Sequence, residues 1–491
     1  MVLLVYNQIV KTLTLVFLIV ASFGVRFLRW LAWFQQKEYR SDRLWLFVTS
    51  AEGVSELWRL VPLKSDFSKT GLKRPQKTPR VLVTAFLSVC LIALLFYLSA
   101  FRGWVTLLVV IFVVYLLLPV VMFISNLPII LIKHLVTEYY LHQARQLIRK
   151  YRPQIIGITG SYGKTTTKLL LAHVLAIKAP VFTTPASYNT KYSVAKSICD
   201  QYRGEKIVVL EYGAYTRGEI EQLANFFPPS IAIIIGLTEQ HLGLFGSLDK
   251  IIQAKAELIK ALPKNASIYV NASDPGADQI FIAGRNLHPA GQSLKRVGYG
   301  IAGDGEWQFA TQKDGFIQIK IGQKKYLTQI WGGHYTTQLS AVFLLATTLG
   351  IELDQVAQTL NEFEPGANFI RRYQLESGVV VIDDGGTSNP TGFETALDLI
   401  SSLPAARKIL LTTGIVDLGQ RSAEIHQNLA CAAGRSVSEV WYFGELAKSE
   451  FMGELGQRVV HERDQIEQRI KQLTKDDLLL IEGRMPKWLK L

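Results

Sequence analysis

The sequence Gly157-Ile158-Thr159-Gly160-Ser161-Tyr162-Gly163-Lys164-Thr165-Thr166-Thr167-Lys168 follows an apolar segment and precedes a predicted helix over 169–176. In a glycine-rich turn between a strand and a helix N-terminus, main-chain N–H groups can converge on phosphate. Lys164 offers a charge for the terminal phosphates, and the Thr165 hydroxyl is suited to Mg²⁺. The stretch therefore predicts a nucleoside triphosphate site in an α/β fold.

The glycine spacing of this loop differs from the usual pattern. A glycine normally stands five residues before the glycine of Gly-Lys-Thr, and Ile158 occupies that position here. A glycine turn beside a surface lysine is the simpler alternative, so the interpretation needs support from other segments.

The chain after residue 150 alternates short apolar runs with helical patterns, as in doubly wound α/β folds. We predict two such units, with a boundary near 364–366. Predicted strands lie at 154–158, 207–210, 231–235, 379–382, 408–412, 439–443 and 478–481, with helices at 390–403 and 421–433.

Residues 1–150 have a different composition from the rest. They hold 18 Lys and Arg against 6 Asp and Glu, which accounts for almost all of the net charge of +13. Because the basic excess lies outside the predicted nucleotide site, a nucleic-acid partner is not expected. Uncharged runs at 81–101 and 104–126 can each span a hydrocarbon core of about 30 Å, turning at Arg102-Gly103. A third membrane helix is predicted at about 3–25, with an interfacial helix as the alternative.

The basic residues also predict an orientation. Residues 26–80 carry 12 Lys and Arg against 5 Asp and Glu, so they are expected to form a basic cytoplasmic loop. Everything after residue 126 is then cytoplasmic, where ATP is available. Residues 129–150 are predicted to form a helix leading from the membrane to the catalytic part. The expected location is the inner (cytoplasmic) membrane, in a multi-pass protein.

Three further polar residues stand out in the central part. Glu211 ends an apolar run, where a carboxylate can bind Mg²⁺. His241 follows the predicted strand at 231–235, and Lys255 lies in a helical pattern. Each also has an ordinary explanation: a strand-end charge, an unremarkable histidine and a solvated lysine.

The order of these features resembles the Mur ligases, ATP-dependent amide-forming ligases of peptidoglycan precursor synthesis. The resemblance covers about residues 151–491 and leaves out 1–150. It implies a central ATP-binding domain at 151–366 and a Rossmann-like C-terminal domain at 367–491. The segments that carry it are 157–168, 184–194, 211–220, 238–257 and 383–390.

The resemblance assigns roles around the phosphates. Thr165 and Glu211 would bind one Mg²⁺, and His241 with a carbamylated Lys255 would bind a second. Lys164 would hold the terminal phosphates of ATP. The other residues of the nucleotide loop would be Gly160, Ser161, Tyr162, Gly163, Thr165 and Thr166.

The resemblance also assigns more distant roles. Asn189 would lie near the acceptor substrate. Arg372, preferred to Arg371, would reach the ATP phosphates from the hinge into the last domain. His334 would lie near the adenine, and Asp384 would bind the ribose, with Asn389 in the same turn.

The departures from the family pattern lie in substrate-binding regions. The family's N-terminal domain, which grips the UDP-sugar, has no visible counterpart. Tyr335 and Gln338 stand where relatives usually carry asparagines, and Gly385 and the next three residues replace a Ser-Tyr-Asn-Ala sequence. Glu482 stands where relatives have lysine, which reverses a charge near the expected amine substrate.

These features lead to one preferred function and three alternatives. We expect a membrane-anchored ATP-dependent ligase that works through an acyl phosphate. Its partners would be a cell-envelope precursor with a free carboxylate, an amino acid or dipeptide amine, and membrane lipid. The alternatives are the family's ordinary dipeptide-adding reaction, a capsule-type poly-amino-acid ligase and, least favoured, a non-catalytic ATP-binding scaffold.

Overall fold

The computed structural model describes residues 2–37, 39–63, 66, 74–239, 242–300, 306–312, 314–366, 369–385, 389–416, 418–443, 446–483 and 489. The predicted ligand His241 lies outside the described residues. The chain divides into two compact units, Met1–Val136 and Thr137–Leu491.

The first unit is helical. Aromatic side chains fill its core, where Trp33 stacks on Phe47 with ring centroids 4.1 Å apart. The helices that begin in it are α1 (Val2–Gln36), α2 (Ser41–Val48), α3 (Ala51–Trp58), α4 (Pro79–Ala100), α5 (Trp104–Leu116) and α6 (Leu118–Tyr151).

Three helices of the described chain are long and apolar enough to cross a membrane: Phe17–Gln36 within α1, α4 and α6. The predicted turn between α4 and α5 is present, with φ of 106° at Gly103. The predicted helix at 3–25 is too short, because α1 continues to Gln36. The predicted loop at 26–80 is also incomplete as a description, since it contains the end of α1 and both α2 and α3.

The prediction of a single helix at 104–126 is wrong, because the helix is interrupted between α5 and α6. Pro119 has no N–H to donate to the carbonyl of Tyr115, its partner four residues earlier. Arg26 replaces that donor: its Nε donates to the Tyr115 carbonyl at 3.0 Å. The same guanidinium donates to the carbonyls of Arg59 and Leu57 at the end of α3. Arg26 therefore caps two helix C-termini at once.

The second unit contains two six-stranded sheets, which confirms the predicted α/β class. The central sheet is parallel, with strand order β2-β3-β1-β4-β5-β6. Its strands are β1 (Gln154–Thr159), β2 (Val181–Thr183), β3 (Ile207–Glu211), β4 (Ile231–Ile234), β5 (Ser267–Asn271) and β6 (Lys295–Tyr299).

Helices cover the central sheet, and a small antiparallel sheet follows it. The helices are α7 (Lys164–Leu175), α8 (Lys191–Gln201), α9 (Glu219–Phe226), α10 (Leu242–Phe245), α11 (Leu248–Lys260), α12 (Pro275–Leu287), α13 (Thr336–Thr348) and α14 (Leu353–Asn361). The small sheet, which the sequence did not predict, consists of β7 (Trp307–Thr311), β8 (Phe316–Ile321) and β9 (Lys324–Trp331).

The C-terminal sheet has the order β10-β11-β15-β12-β13-β14, and only the β10–β11 pair of these described strands is antiparallel. The strands are β10 (Arg371–Gln374), β11 (Val380–Asp384), β12 (Arg407–Thr412), β13 (Glu439–Tyr442), β14 (Val459–Val460) and β15 (Asp477–Glu482). The helices are α15 (Pro390–Ser402), α16 (Ser422–Ser436), α17 (Lys448–Leu455) and α18 (Arg463–Ile470).

Two features tie the second unit together. Phe363 and Phe369 pack 5.3 Å apart between the two large sheets. The last turns of α6 belong to the core beside the central sheet, where Leu141, Ala144 and Ile148 are buried. The helix predicted at 129–150 is thus confirmed, and its final part packs with the catalytic fold.

The Arg26 contacts generate a stability prediction. Arg26→Met should leave helix-end carbonyls of α3 and α5 without a donor, at a cost of about 3 kcal/mol. The measurement is the thermal unfolding midpoint of the full chain in detergent. Arg102→Met, at the exposed hairpin tip, is the control and should leave the midpoint unchanged. Equal midpoints for both variants would show that Arg26 does not hold these helix ends.

Candidate active site at the ends of the central strands

The nucleotide loop joins β1 to α7 in a conformation that needs glycine. Gly163 has φ of 67°, and a Cβ there would lie 2.6 Å from the Gln338 amide nitrogen. Gly163 is also the N-cap of α7, and as a glycine it has no side chain to accept from the first N–H groups of this helix. An uncapped helix N-terminus beside a glycine turn is suited to bind a phosphate.

The loop is fixed to the neighbouring strand ends. The Ser161 N–H donates to the Gly236 carbonyl at 2.8 Å, after β4. The Tyr162 hydroxyl donates to Asp274 at 2.7 Å, and burial raises the pKa of Tyr162. Thr166 points into the protein and is buried. Ser161, Tyr162 and Thr166 therefore position the loop with their side chains or main chain.

Two lysine amines share one acceptor in this loop. Lys164 Nζ and Lys255 Nζ each donate to the Gly160 carbonyl at 2.8 Å. Burial, followed by the charge of Lys164, lowers the pKa of Lys255 well below its usual range. Burial also lowers the pKa of Lys164, and Glu211 opposes that shift. The structure thus brings Lys255 of α11 to the same acceptor as Lys164 of α7, although the two lysines lie far apart in the sequence.

Glu211 forms a buried ion pair that the sequence did not predict. Its partner is Lys168, the last residue of the quoted motif, and Nζ lies 2.9 Å from Glu211 Oε1. Both side chains are fully buried. Lys168 Nζ also donates to the Thr184 carbonyl at 2.8 Å. The only indication of this role in the sequence was the position of Lys168, which lies one helical turn after Lys164 and directly before an apolar run.

The donor set at this point fits a hard cation such as Mg²⁺. Neither Glu211 oxygen accepts a hydrogen bond of regular geometry from the described residues, so carboxylate lone pairs remain for a ligand. The Thr165 hydroxyl lies 2.9 Å from the Ser187 hydroxyl at the exposed start of α7. Oxygen ligands of this kind are those that Mg²⁺ prefers.

Two further carboxylates, which were not selected as positioning residues in the sequence analysis, hold the loop after β3. Glu257, on the same helix as Lys255, accepts from the main-chain N–H groups of Gly218 and Glu221 at 2.7 and 3.1 Å. Glu219 accepts from the Tyr215 N–H at 2.7 Å. The backbone that follows Glu211 is therefore fixed by side chains.

Asn189 lies close to this loop. A Cβ on Gly213 would come within 2.7 Å of the Asn189 side chain, so the glycine allows the β2–α8 connection to pack against the β3 loop. The predicted acceptor residue and Glu211 thus lie on adjoining connections.

His334 lies at the entry to α13, before Tyr335. Burial lowers the pKa of His334 to about 4, so the ring is neutral at physiological pH. Its Nδ1 has no hydrogen-bond partner among the residues the structure describes. A neutral imidazole with an unused nitrogen can contact a bound base.

The predicted hinge arginines occupy an exposed edge strand. Arg371 on β10 pairs with Asp383, whereas Arg372 is exposed. Just before them, the Tyr335 hydroxyl accepts a hydrogen bond from the Ile370 N–H at 2.8 Å. No contact recorded among the described residues joins Arg372 to the nucleotide loop.

Asp384 and Glu482 are paired residues on adjacent parallel strands, β11 and β15. Burial, with a contribution from Asp383, raises the pKa of Asp384 to about 7, and a hydrogen bond with Glu482 opposes the shift. Glu482 is fully buried; it lies beside another acid and not on an open face. Asn389 caps α15 by accepting from the Gly392 N–H at 3.0 Å. Residues 386–388 lie outside the described residues.

Family models match two parts of the chain. A Mur ligase middle domain model matches residues 158–346, and a Mur ligase glutamate ligase domain model matches residues 370–485.

The curated relatives include two enzymes named UDP-N-acetylmuramoyl-tripeptide–D-alanyl-D-alanine ligase. The Mycobacterium tuberculosis enzyme is 30% identical over 297 residues, which cover 57% of this chain and 56% of the relative. The Bacillus subtilis enzyme is 26% identical over 351 residues, covering 69% and 75%. The chain therefore spans only about half the length of its Mycobacterium relative.

Solved structures share the fold of the second unit. The MurF ligase of Thermotoga maritima, in complex with ADP, gives a TM-score of 0.60 at 24% identity and covers 71% of this chain and 80% of its own. A folylpolyglutamate synthase of Mycobacterium tuberculosis, complexed with ADP and AMPPCP, gives 0.55 at 13% identity, covering 72% and 95%.

The Lys168–Glu211 pair predicts a coupling that a double-variant cycle can measure. Lys168→Met should destabilise the chain by about 3–5 kcal/mol, because it leaves Glu211 buried and unpaired. Adding Glu211→Gln should recover part of that loss. The measurement is equilibrium unfolding, with Lys206→Met at an exposed position as the control. Glu211→Gln alone completes the cycle, and a loss in the double variant equal to the sum of the two single losses would mean that the pair is not coupled.

The Asp384 pair predicts a pH dependence of stability. The pKa of Asp384 is about 7 in the fold and 3.8 without it, so the folded state holds a proton that the unfolded state releases between these values. Stability from this group therefore falls as pH rises from about 4 to 7. Asp384→Asn should gain in unfolding midpoint relative to the wild type between pH 5 and 8, by a few degrees. Exposed Asp398→Asn should show no such trend, and a pH-independent difference for Asp384→Asn would contradict the assignment.

Proposed function

Because the chain belongs to the Mur ligase family across residues 158–485, we propose that it is a membrane-anchored, ATP-dependent amide ligase acting on a cell-envelope precursor. The observation that carries the proposal is the meeting of Lys164 and Lys255 on the Gly160 carbonyl, at an uncapped helix N-terminus beside Glu211. Such a centre is suited to a triphosphate and its metal ions, and a surface glycine turn would not need it.

The proposed reaction has two steps. A carboxylate oxygen of the acceptor attacks the γ-phosphorus of ATP, and the bond to the leaving ADP breaks. The incoming amine nitrogen then attacks the carbonyl carbon of the acyl phosphate and loses a proton, and inorganic phosphate leaves. Lys164 and the N–H groups of α7 offset the negative charge that gathers in the first step. Closure of the C-terminal sheet over the site would exclude water, which otherwise hydrolyses the acyl phosphate.

In this proposal the metal ligands are assigned from the residues of the candidate site and from the family resemblance. Thr165 and Glu211 would hold one Mg²⁺, and His241 with carbamylated Lys255 would hold a second; bound Mg²⁺ neutralises phosphate charge. The lowered pKa of Lys255 favours the neutral amine, the form whose nitrogen attacks carbon dioxide and releases a proton to give a carbamate. The carbamate then places a negative charge where a buried lysine alone cannot.

In this proposal the remaining site residues bind the adenine, ribose and phosphates of ATP and the acceptor substrate. His334 would contact the adenine through its unused Nδ1. Asp384 and Asn389 would bind the ribose, and Arg372 would reach the phosphates from β10 when the C-terminal sheet moves. Asn189 would lie against the acceptor.

The apolar helices of the first unit are relevant to the identity and location of the acceptor substrate. The unit supplies helices that can cross a membrane, and the family models match residues 158–346 and 370–485, after this unit. We therefore propose an acceptor held at the cytoplasmic face of the inner membrane. The names of the curated relatives support the alternative, transfer of D-alanyl-D-alanine to a UDP-N-acetylmuramoyl-tripeptide. A capsule-type poly-amino-acid ligase is a further variant of the same chemistry.

Phosphate release by the full chain in detergent tests the proposal. With ATP and Mg²⁺, release should require both a carboxylate acceptor and an amine. Lipid-extracted envelope precursors and UDP-N-acetylmuramoyl-tripeptide are offered separately, each with D-alanyl-D-alanine or single amino acids. Lys255→Gln should lower kcat at least about 100-fold, while Lys250→Gln, exposed on the same helix, should not. ¹³C-bicarbonate should give a carbamate resonance in the wild type and none in Lys255→Gln.

The outcomes separate the alternatives. Turnover with UDP-N-acetylmuramoyl-tripeptide as the acceptor, and none with the lipid-extracted precursors, would favour the ordinary dipeptide-adding reaction. ATP binding without turnover on either acceptor would favour the scaffold, and full activity of Lys255→Gln would exclude the carbamate role.

A further inference from the structure

A cavity of about 510 Å³ lies within the first unit, between α1, α5 and residues 60–62. This volume is within the range of small-molecule pockets, about 300–1,000 Å³. The hydroxyls of Ser22 and Tyr115 provide polar groups in an otherwise apolar wall. The apolar lining includes Leu18, Phe23, Val61, Leu108, Ile111 and Phe112.

A charged cluster adjoins one end of the cavity. Ser22, Val61, Pro62 and Tyr115 line both the cavity and a small gap of about 10 Å³ in the cluster. The gap holds about one water molecule. The gap therefore has no room for a larger ligand, and the cluster contributes only its charge to this end of the cavity. Its charged members are Arg26, Arg29, Glu56, Arg59 and Asp66.

The charges of this cluster do not balance. Arg29 pairs with Glu56 at 2.6 Å and with Asp66 at 2.9 Å, and Arg59 also pairs with Asp66, at 2.6 Å. Arg26 donates to main-chain carbonyls and pairs with neither acid. Among the described residues that line the gap, three arginines face two carboxylates. The helix-end carbonyls offset the charge of Arg26 in part, and the positive charge that is left is costly in a membrane-embedded unit unless an anion offsets it.

We propose that this cavity binds an anionic phospholipid of the bilayer, with one acyl chain along the apolar wall and the phosphate at the junction with the cluster. Arg59 is suited to meet the phosphate. Its Nε is buried and has no hydrogen-bond partner within the described part of the chain, while its side chain is 22% exposed. The Ser22 and Tyr115 hydroxyls, 2.8 Å apart, lie at the same junction. The inference rests on the proposed membrane location of the first unit.

Charge complementarity selects this occupant over related ones. A zwitterionic phospholipid offers the same chain but does not neutralise the cluster. Inorganic phosphate offers the charge but leaves the apolar cavity unfilled. Affinity should therefore need both parts in one molecule.

Thermal unfolding of the full chain in detergent tests the proposal, with added phosphatidylglycerol, phosphatidylcholine or inorganic phosphate. Phosphatidylglycerol should raise the unfolding midpoint by at least 5 °C more than phosphatidylcholine. Any shift from phosphate alone, which the nucleotide loop can also bind, should be the same in Arg59→Gln as in the wild type. Native mass spectrometry should find one phosphatidylglycerol retained per chain. Equal effects of the two lipids, or a phosphate shift that Arg59→Gln abolishes, would overturn the proposal.

Two variants separate the charge from the cavity. Arg59→Gln should lose the preference for phosphatidylglycerol, and Ile111→Trp, which fills the cavity, should reduce retention of both lipids at least tenfold. Arg102→Gln at the hairpin tip should behave as the wild type. If Arg59→Gln folds poorly, Ile111→Trp alone decides, and unchanged retention in that variant overturns the site. Phosphate release is measured in the same samples, so failure of the ligase reaction and failure of lipid binding are read separately.

Discussion

The active site depends on one main-chain oxygen, the carbonyl of Gly160. Lys164 reaches it from the first turn of the helix that follows the loop, and Lys255 reaches it from a helix almost a hundred residues later. A carbonyl can accept two hydrogen bonds, and here it orders two amines that would otherwise repel each other. The turn between β1 and α7 therefore sets the position of Lys164 and Lys255, the two lysines proposed to act in catalysis, as well as that of the loop itself.

Lys168 supports this arrangement through its ion pair with Glu211. Glu211 ends a strand deep in the fold, where an unpaired carboxylate would be costly because it has lost its hydration. Lys168 pairs with it and is itself held by the Thr184 carbonyl. The pair links α7, β3 and the connection after β2, so the carboxylate proposed to bind metal is positioned by the same helix that carries Lys164.

Sequence patterns predicted the parts of this protein that repeat local rules. Apolar runs located β1, β3, β4, β11, β12, β13 and β15, because burial on both faces of a strand leaves a continuous apolar composition, but they did not locate β2, β5, β6 or β14. The glycine turn located the loop. The Lys168 pair, the Glu257 contacts and the sharing of the Gly160 carbonyl depend on side chains meeting across the sheet, which spacing does not reveal. The error at 104–126 had a local cause, Pro119, but its consequence required the distant donor Arg26.

The burial of Leu141, Ala144 and Ile148 beside the central sheet has a practical consequence for expression. A clone that starts at residue 151 would keep every residue of the candidate site and the whole of both large sheets. It would nevertheless uncover the apolar surfaces around Ile155 and Tyr202 that these three side chains protect. A soluble enzyme fragment should therefore begin before Leu141, and proteolysis that releases the catalytic unit intact has to cut ahead of that residue.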